Sequence, residues 1–341
     1  MANGFSKAAI HLNSRGLEQQ RFHARAAEAT RARFGRRVFL RGVVEPSNFC
    51  RENCHYCGMR RDNQSLDRYR ARLDELSELL IHHRPTSITD LNIQTGEDPV
   101  AVRETVIPLI RRLRDQTPLG ISVCLGTLKP EMYDELQAAG ATIYIMKFEI
   151  ADAALYRRLC APGCLEERLE HIRLLASKGW KVSSGFIAGL PEQSMPELLS
   201  NLEVARELPI VGCSVSPFIP GEATPLHDAP TGDVELTLNV MAMLRLMRPD
   251  WVIPAVSALN LAGPGSGYQR GLRTGANLVT MNLTPSGIRE DYLLYKRDRF
   301  IMTEERILSA IEAEKLIPSE QSLSDFYSGN EEKNVSAAAL A

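Results

Sequence analysis

The chain has 341 residues, of which 44% are hydrophobic and 24% are charged, and its formal net charge is −2. This composition is typical of a folded globular protein, and the near-neutral charge gives no reason to expect nucleic acid as a partner. No apolar stretch reaches the length of a membrane span, and the N-terminal sequence lacks the apolar core of a secretory signal. Seven cysteines, an odd number in a long chain, indicate a reducing compartment rather than a disulfide framework, so we expect a cytoplasmic protein.

In chain order, the sequence begins with a helical segment and continues as an alternation of strands and helices. Residues 1–36 are predicted to form a lead-in, with a helix over residues 15–35 that is rich in alanine and arginine. Short apolar runs then alternate with longer segments whose apolar residues have helical spacing. The predicted strands are residues 37–44, 87–93, 120–125, 142–148, 181–188, 211–218, 251–257 and 276–282.

Strands separated by helices in this way predict an α/β fold, a single (β/α)8 barrel of the TIM type over residues 37–317. In such a barrel the reactive residues lie at the C-terminal ends of the strands and in the loops that follow them. Residues 318–341 are rich in Ser, Glu and Ala without apolar periodicity, and they are predicted to form a disordered tail.

Three cysteines lie within one short loop after the first predicted strand, at Cys50, Cys54 and Cys57. Their CX3CX2C spacing places three thiolates close enough to hold three corners of a cubane cluster. A 4Fe–4S cluster normally takes four thiolates, so one iron would stay open, and an open coordination position is typical of a reactive metal site. The alternatives are three unrelated cysteines and a structural zinc site, although the second cysteine pair that zinc sites usually use is not nearby.

The spacing resembles that of the radical S-adenosylmethionine (SAM) enzymes, and Tyr56 stands where that family usually has an aromatic residue against the adenine. The resemblance implies that the open iron binds the amino and carboxylate groups of SAM. An electron from the cluster would then cleave SAM to a 5′-deoxyadenosyl radical that attacks a small-molecule substrate. A flavodoxin or a ferredoxin would supply that electron.

From about residue 30 to residue 315 the chain is similar to the biotin-synthase-like branch of this family, in particular to the FeFe-hydrogenase maturase and 3-methylornithine synthase. The resemblance lies in the stretches RFGRRVFLRG, SNFCRENCHYCGMRRDN, QTGEDP, GLPEQS, SPFIPGEATPL, IPAVSAL and RTGANLVTMNLTP. Together these stretches extend over most of the predicted barrel.

The resemblance also implies SAM contacts at five further residues, Thr95, Gly96, Glu97, Glu149 and Arg168. Gly96 would allow the backbone to approach the ligand, and Glu97 would accept hydrogen bonds from the SAM ammonium. Glu149 would accept from the ribose hydroxyls, and Arg168 would bind the SAM carboxylate as a fork. The alternatives are a simple turn at Gly96 and a surface ion pair at Arg168.

Several positions depart from these relatives. Ser183 stands where biotin synthase has a ligand of its auxiliary 2Fe–2S cluster, so that particular cluster is not expected. Residues 147–150 replace the Arg-His-Glu-Thr run of many maturases, and Val256 and Ser257 replace two of their threonines. We interpret these differences as changes in the substrate chamber that leave the SAM-binding residues in place.

Four cysteines lie outside the loop. Cys124 and Cys213 fall in predicted strands and are interpreted as small buried residues. Cys160 and Cys164 form a CX3C pair after the fourth strand. This pair could hold part of a second iron–sulfur cluster, a candidate sulfur donor, or it could be adventitious.

The resemblance leaves three reactions open. The first, favoured by overall likeness, is maturase-like chemistry on an amino-acid-derived or metal-bound thiolate substrate. The second is sulfur insertion at an unactivated carbon, which would need a sacrificial cluster at the Cys160 and Cys164 pair. The third is a carbon-skeleton rearrangement. A non-catalytic iron–sulfur scaffold is the alternative from another class, but a scaffold has no need of a SAM clamp.

Overall fold

Seven of the eight predicted apolar runs form strands of one parallel sheet in the computed structural model, which describes residues 8–297 and 300–329. The strands are β1 Arg37–Ser47, β2 Asp90–Thr95, β3 Gly120–Cys124, β4 Ile143–Ile145, β5 Lys181–Ala188, β6 Gly212–Pro217, β7 Leu278–Asn282 and β8 Ile317–Pro318. They pair in the order β6-β5-β4-β3-β2-β1-β7, and β8 pairs with the start of β1. All of these described ladders are parallel, so the α/β architecture predicted from the alternation is confirmed.

Helices connect the strands. Those that lie in the described part of the chain include α1 Gly16–Phe34, α2 Leu73–His82, α3 Pro99–Ala101, α4 Ile107–Gln116, α5 Pro130–Ala139, α6 Ala153–Arg158, α7 Leu165–Ser177, α8 Met195–Glu207, α9 Val234–Met247, α10 Ala258–Ala262, α11 Gly267–Arg273, α12 Ser286–Arg289, α13 Glu304–Ala313 and α14 Leu323–Ser328. Helix α1 is the predicted lead-in helix. Local signals set helix ends, as at α8, where Ser194 and Glu197 form a capping box. Within residues 8–297 and 300–329, no helix is long and apolar enough to cross a membrane.

Strand β1 shows how the sheet separates the hydrophobic core from the interior of the barrel. Val38, Leu40 and Val44 are at most 1% exposed and belong to the large apolar core cluster. Arg41 and Glu45 lie at the odd-numbered positions of the strand, between the core residues, and both line an internal cavity. Because successive side chains of a strand point to opposite faces, one face supplies the core and the other supplies the cavity wall.

The strand predicted at residues 251–257 is reduced to two isolated bridges, so this prediction was only partly right. Val252 pairs with Gly212 of β6, and Pro254 pairs with Leu278 of β7, both in parallel orientation. Pro254 has no N–H to donate, so a regular ladder cannot continue through it. The segment nevertheless lies between β6 and β7 and joins the two ends of the curled sheet.

The prediction of a disordered tail from residue 318 was wrong for residues 318–329; the rest of that tail lies outside the described residues. Ile317 and Pro318 pair with the start of β1, and Leu323–Ser328 forms helix α14. Phe326 of this helix packs on Phe34 and Phe39, with ring centroids 5.6 and 5.3 Å apart. Aromatic packing against distant residues orders a segment whose own composition is polar.

Candidate active site

A cavity of about 350 Å³ lies inside the sheet and reaches the C-terminal ends of the strands. The residues predicted to bind the cluster or SAM that line it are Cys50, Cys54, Tyr56, Cys57, Thr95, Gly96, Glu97, Glu149 and Arg168. These residues come from the loop after β1, the end of β2, the segment after β4 and helix α7. The structure therefore brings nine of the eleven predicted site residues to one place, and Cys160 and Cys164 are the two that it leaves outside.

Arg68 organises the loop that carries the three cysteines, and sequence reasoning did not identify it. Its guanidinium donates to the carbonyl oxygens of Asn48 and Met59 at 2.6 and 3.0 Å. It also donates to the carbonyls of Arg60 and Asn63 at 2.8 and 3.3 Å. A loop without regular secondary structure must satisfy its carbonyl groups in another way, and one arginine does this for four of them. The pattern of the sequence gives no signal for such a role.

The three thiols lie against the cavity in a desolvated setting. Cys54 is 6% exposed, while Cys50 and Cys57 are half-buried. Burial raises the pKa of all three thiols, that of Cys57 to about 12. Binding to a metal centre would require these thiols to lose their protons, and the positive charge of the metal would offset that cost.

The zinc alternative was that the three cysteines form a structural site for one ion. In the described part of the chain, no group of three or more His, Cys, Asp or Glu side chains is placed to hold a metal ion. The three thiols nevertheless line one cavity, as three ligands of one cluster would.

Gly96 allows the loop after β2 to lie directly on the cysteine loop. A Cβ at Gly96 would lie 2.2 Å from the carbonyl oxygen of Phe49 and 2.8 Å from the Cβ of Cys50. The next residue, Glu97, donates its backbone N–H to Cys50 Sγ at 3.4 Å. The need for glycine therefore comes from contact between the two loops, in addition to any approach of a ligand.

Asp98 fixes the same loop to β1. Its carboxylate accepts from Ser47 Oγ at 2.7 Å and from Arg70 through Nε at 2.7 Å and Nη2 at 3.0 Å. The Arg70 guanidinium lies 4.1 Å from the centre of the Phe49 ring. A bidentate arginine and a cation–π contact together restrain both sides of the cysteine loop.

Glu97 and Arg168, which were predicted to bind SAM separately, bind each other. Arg168 Nη1 donates to Glu97 Oε1 at 2.9 Å, and the two side chains are 7% and 8% exposed. Arg168 also donates from Nε to the carbonyl of Lys147 at 2.7 Å. Burial by itself would lower the pKa of Arg168, but Glu97 together with Tyr156 and Glu149 outweighs it and raises that pKa, so the guanidinium stays charged. This is a buried pair, not the surface ion pair considered as an alternative.

Glu149 places a carboxylate at the mouth of the cavity. Its backbone has a φ of 63°, an unusual conformation for a residue with a side chain, and its N–H and C=O pair with Gly185 and Ile187 of β5. Among the described residues none donates a hydrogen bond to its carboxylate, which faces the cavity. Strained backbone of this kind is often found at ligand sites.

Some of the positions at which this chain departs from its relatives lie on the cavity, whereas Phe148 and Ile150 are buried and do not line it. Lys147, Ser183, Val256 and Ser257 all belong to its lining. Burial would lower the pKa of Lys147, but Glu149 and other nearby groups outweigh it and raise that pKa. The altered positions on the cavity are thus in a place where they can contact a bound molecule.

Cys160 and Cys164 are exposed and do not line the cavity. Cys164 caps helix α7, where its Sγ accepts the N–H of Glu167 at 3.5 Å. Of the other two cysteines, Cys213 is fully buried in the core, as interpreted. Cys124 is only half-buried and lines the cavity, so the interpretation of this cysteine as a buried residue was wrong.

Residues 44–205 match the radical SAM superfamily. Over 289 residues the chain is 34% identical to the [FeFe] hydrogenase maturase subunit HydE of Thermotoga maritima, a match that covers 85% of this chain and 82% of that protein. This similarity shows that the chain belongs to the radical SAM superfamily, and the three-cysteine loop at the barrel mouth agrees with it. Members of this superfamily are enzymes that use a 4Fe–4S cluster and SAM.

Other relatives are more distant. The chain is 27% identical over 285 residues to 3-methylornithine synthase of Methanosarcina barkeri. This match covers 83% of this chain and 79% of that protein. The solved structure of methylornithine synthase (PylB) matches with a TM-score of 0.83 at 22% identity, covering 95% and 96% of the two chains. The maturase HydG of Carboxydothermus hydrogenoformans matches with a TM-score of 0.79 at 20% identity, covering 94% of this chain and 76% of that one. The two structures support the fold.

Proposed function

We propose that Cys50, Cys54 and Cys57 hold the 4Fe–4S cluster and that the enzyme carries out maturase-like chemistry on a small amino-acid-derived or metal-bound thiolate substrate. The observation that supports this most is the cavity of about 350 Å³ that joins the three thiols to an interior with polar side chains from several strands. Its size is in the range of small-molecule sites. The similarity to HydE, which is named as a hydrogenase maturase subunit, supports the maturase-like choice.

The protein's own residues would bind and orient the reactants. When bound, the cluster and SAM supply the 5′-deoxyadenosyl radical, which is chemistry that side chains cannot provide. Glu149 has an unengaged carboxylate and would accept hydrogen bonds from hydroxyl or ammonium groups of SAM. Arg168 would donate to the SAM carboxylate from Nη2, since its other nitrogens already bind Glu97 and the Lys147 carbonyl. Tyr56 and Thr95 would contact SAM from the cavity wall.

The interior of the cavity is where the substrate would lie. Its polar lining includes Arg41, Asn92, Cys124, Ser214 and Thr280. A small polar molecule would find hydrogen-bonding groups on several strands at once, while the surrounding sheet excludes bulk water from the reaction. Sulfur insertion has less support, because Cys160 and Cys164 lie outside this cavity and are exposed.

Anaerobic reconstitution with iron and sulfide tests the proposal. We expect about four irons per chain, the content of one cubane cluster, and release of 5′-deoxyadenosine when SAM and dithionite are added. Cys50→Ala should lose both, while Cys160→Ala, which changes an exposed cysteine, should keep both. Iron without 5′-deoxyadenosine would indicate a scaffold. Mass spectrometry of products from candidate substrates would then separate maturase-like chemistry from a carbon-skeleton rearrangement.

A further inference from the structure

Every acceptor position of the Glu97 carboxylate is already occupied by the protein. Oε1 accepts from Arg168 Nη1 at 2.9 Å and from the N–H of Thr127 at 3.1 Å. Oε2 accepts from Arg51 through Nε at 3.1 Å and Nη2 at 3.0 Å. A carboxylate offers about four such positions. An ammonium group from a ligand could therefore bind Glu97 only by displacing one of these donors.

Arg51 connects this carboxylate to the cysteine loop. It follows Cys50 directly, and its backbone N–H donates to the carbonyl of Glu97 at 3.2 Å. Its Nη2 also donates to the carbonyl of Thr127 at 2.8 Å. The loops after β1, β2 and β3 thus meet at one carboxylate, and helix α7 joins them through Arg168.

The space around Glu97 leaves it little freedom. Gly126 has a φ of 71°, and a Cβ there would lie 2.2 Å from Glu97 Oε1. The Glu97 side chain is only 8% exposed, whereas Arg51 is 51% exposed. Removal of Arg51 would leave Oε2 of a buried carboxylate without donors, which is costly, so we expect Glu97 and its partner Arg168 to move.

We propose that Arg51 is a positioning residue that fixes Glu97, and through it the Arg168 guanidinium, relative to the cysteine loop. In this arrangement Glu97 is the connecting group, and its carboxylate has no acceptor position left for a ligand. This inference rests on the proposed function, because Arg168 matters here as a group that faces SAM.

The experiment compares Arg51→Ala, Arg51→Lys and the control Arg61→Ala, which removes an exposed arginine of the same loop. Hydrogen exchange is measured on the proteins before reconstitution, and iron content and the SAM dissociation constant are measured after it. For Arg51→Ala we expect exchange at residues 49–61 to become about tenfold faster, and the SAM dissociation constant to rise about tenfold with iron content unchanged. Arg51→Lys should be intermediate, because an ammonium keeps the charge but not the fork.

Wild-type exchange and wild-type SAM affinity in Arg51→Ala would overturn the inference, and so would an equal effect of Arg61→Ala. If Arg51→Ala does not fold, the lysine variant carries the same comparison. Failure of the proposed function looks different, because the wild type itself would then bind no SAM. In that case the exchange data, which need neither cluster nor SAM, would still show whether Arg51 holds the loop.

Discussion

The carboxylate of Asp90 accepts the backbone N–H of Leu323, with N–O distances of 3.0 and 2.9 Å to its two oxygens. Asp90 is the first residue of β2 and is 1% exposed, and Leu323 is the first residue of α14. The contact therefore fixes the C-terminal helix at the N-terminal ends of the strands, opposite the cysteine loop. Leu323 and Tyr327 of that helix line the same cavity as the cysteines, so the helix forms part of its floor.

The stability of the protein should depend on pH through Asp90. Burial raises the pKa of Asp90 from 3.8 to about 6. Because the folded protein holds this proton more tightly than the unfolded chain, the stabilisation is complete below pH 4 and is lost as pH rises through 6. Relative to Asp90→Asn, we expect the wild type to lose up to about 3 kcal/mol of unfolding free energy between pH 4 and pH 7.

Urea unfolding of both proteins at several pH values between 4 and 7 measures this difference. Asp228→Asn, at a carboxylate that is 90% exposed, gives the baseline for a surface aspartate. A free-energy difference between wild type and Asp90→Asn that stays constant over this range would contradict the prediction.

Gly96→Ala should displace the cysteine loop. The added methyl group would overlap the Phe49 carbonyl and the Cβ of Cys50, so we expect a loss of about 1–3 kcal/mol of stability and a lower iron content after reconstitution. Thermal unfolding and iron analysis measure the two effects. Gly287→Ala is the matched control, because a Cβ at Gly287 would meet no atom within 4 Å. Normal iron content in Gly96→Ala would show that the two loops need not be in contact.

Glu149→Gln should weaken SAM binding and leave the cluster intact. The substitution keeps the size of the side chain but removes the negative charge that would strengthen its hydrogen bonds to hydroxyl or ammonium groups of SAM, and we expect a loss of about tenfold in affinity. Equilibrium binding of SAM to reconstituted protein measures it. Glu192→Gln is the control, since Glu192 has the same φ of 63° but is a surface residue whose side chain is 75% exposed. Equal affinities in the two variants would exclude Glu149 as a SAM ligand.

The double variant Cys160→Ala/Cys164→Ala should keep the iron and sulfide content of the wild type. Both thiols are exposed and lie outside the cavity, so we expect them not to hold a cluster. The variant should lose a little stability at the start of α7, because the Cys164 cap is removed, by about 0.5–2 kcal/mol. Distinctly less iron in the variant would reveal a second cluster and would make sulfur insertion the leading function.

Local and periodic features of the sequence were enough to predict the alternating α/β architecture and the lead-in helix. Spacing of apolar residues reports which face of a helix or strand is buried, and this holds regardless of the rest of the chain. The CX3CX2C loop could be located for the same reason, since three thiolates within eight consecutive positions, Cys50 to Cys57, stay together in any fold. Because the ends of parallel strands meet at one edge, the other predicted residues could be expected at that edge too.

The tertiary structure decided what those residues bind. Whether Glu97 is free or engaged depends on Arg51 and Arg168, which are 46 and 71 positions away in sequence. The order of residues 318–329 depends on Asp90 and on Phe34 and Phe39, more than 200 positions earlier, and a polar composition cannot report such contacts. A residue's neighbours in space are set by the whole chain, so the sequence located the site and the fold alone determined which of its charges remain available to a ligand.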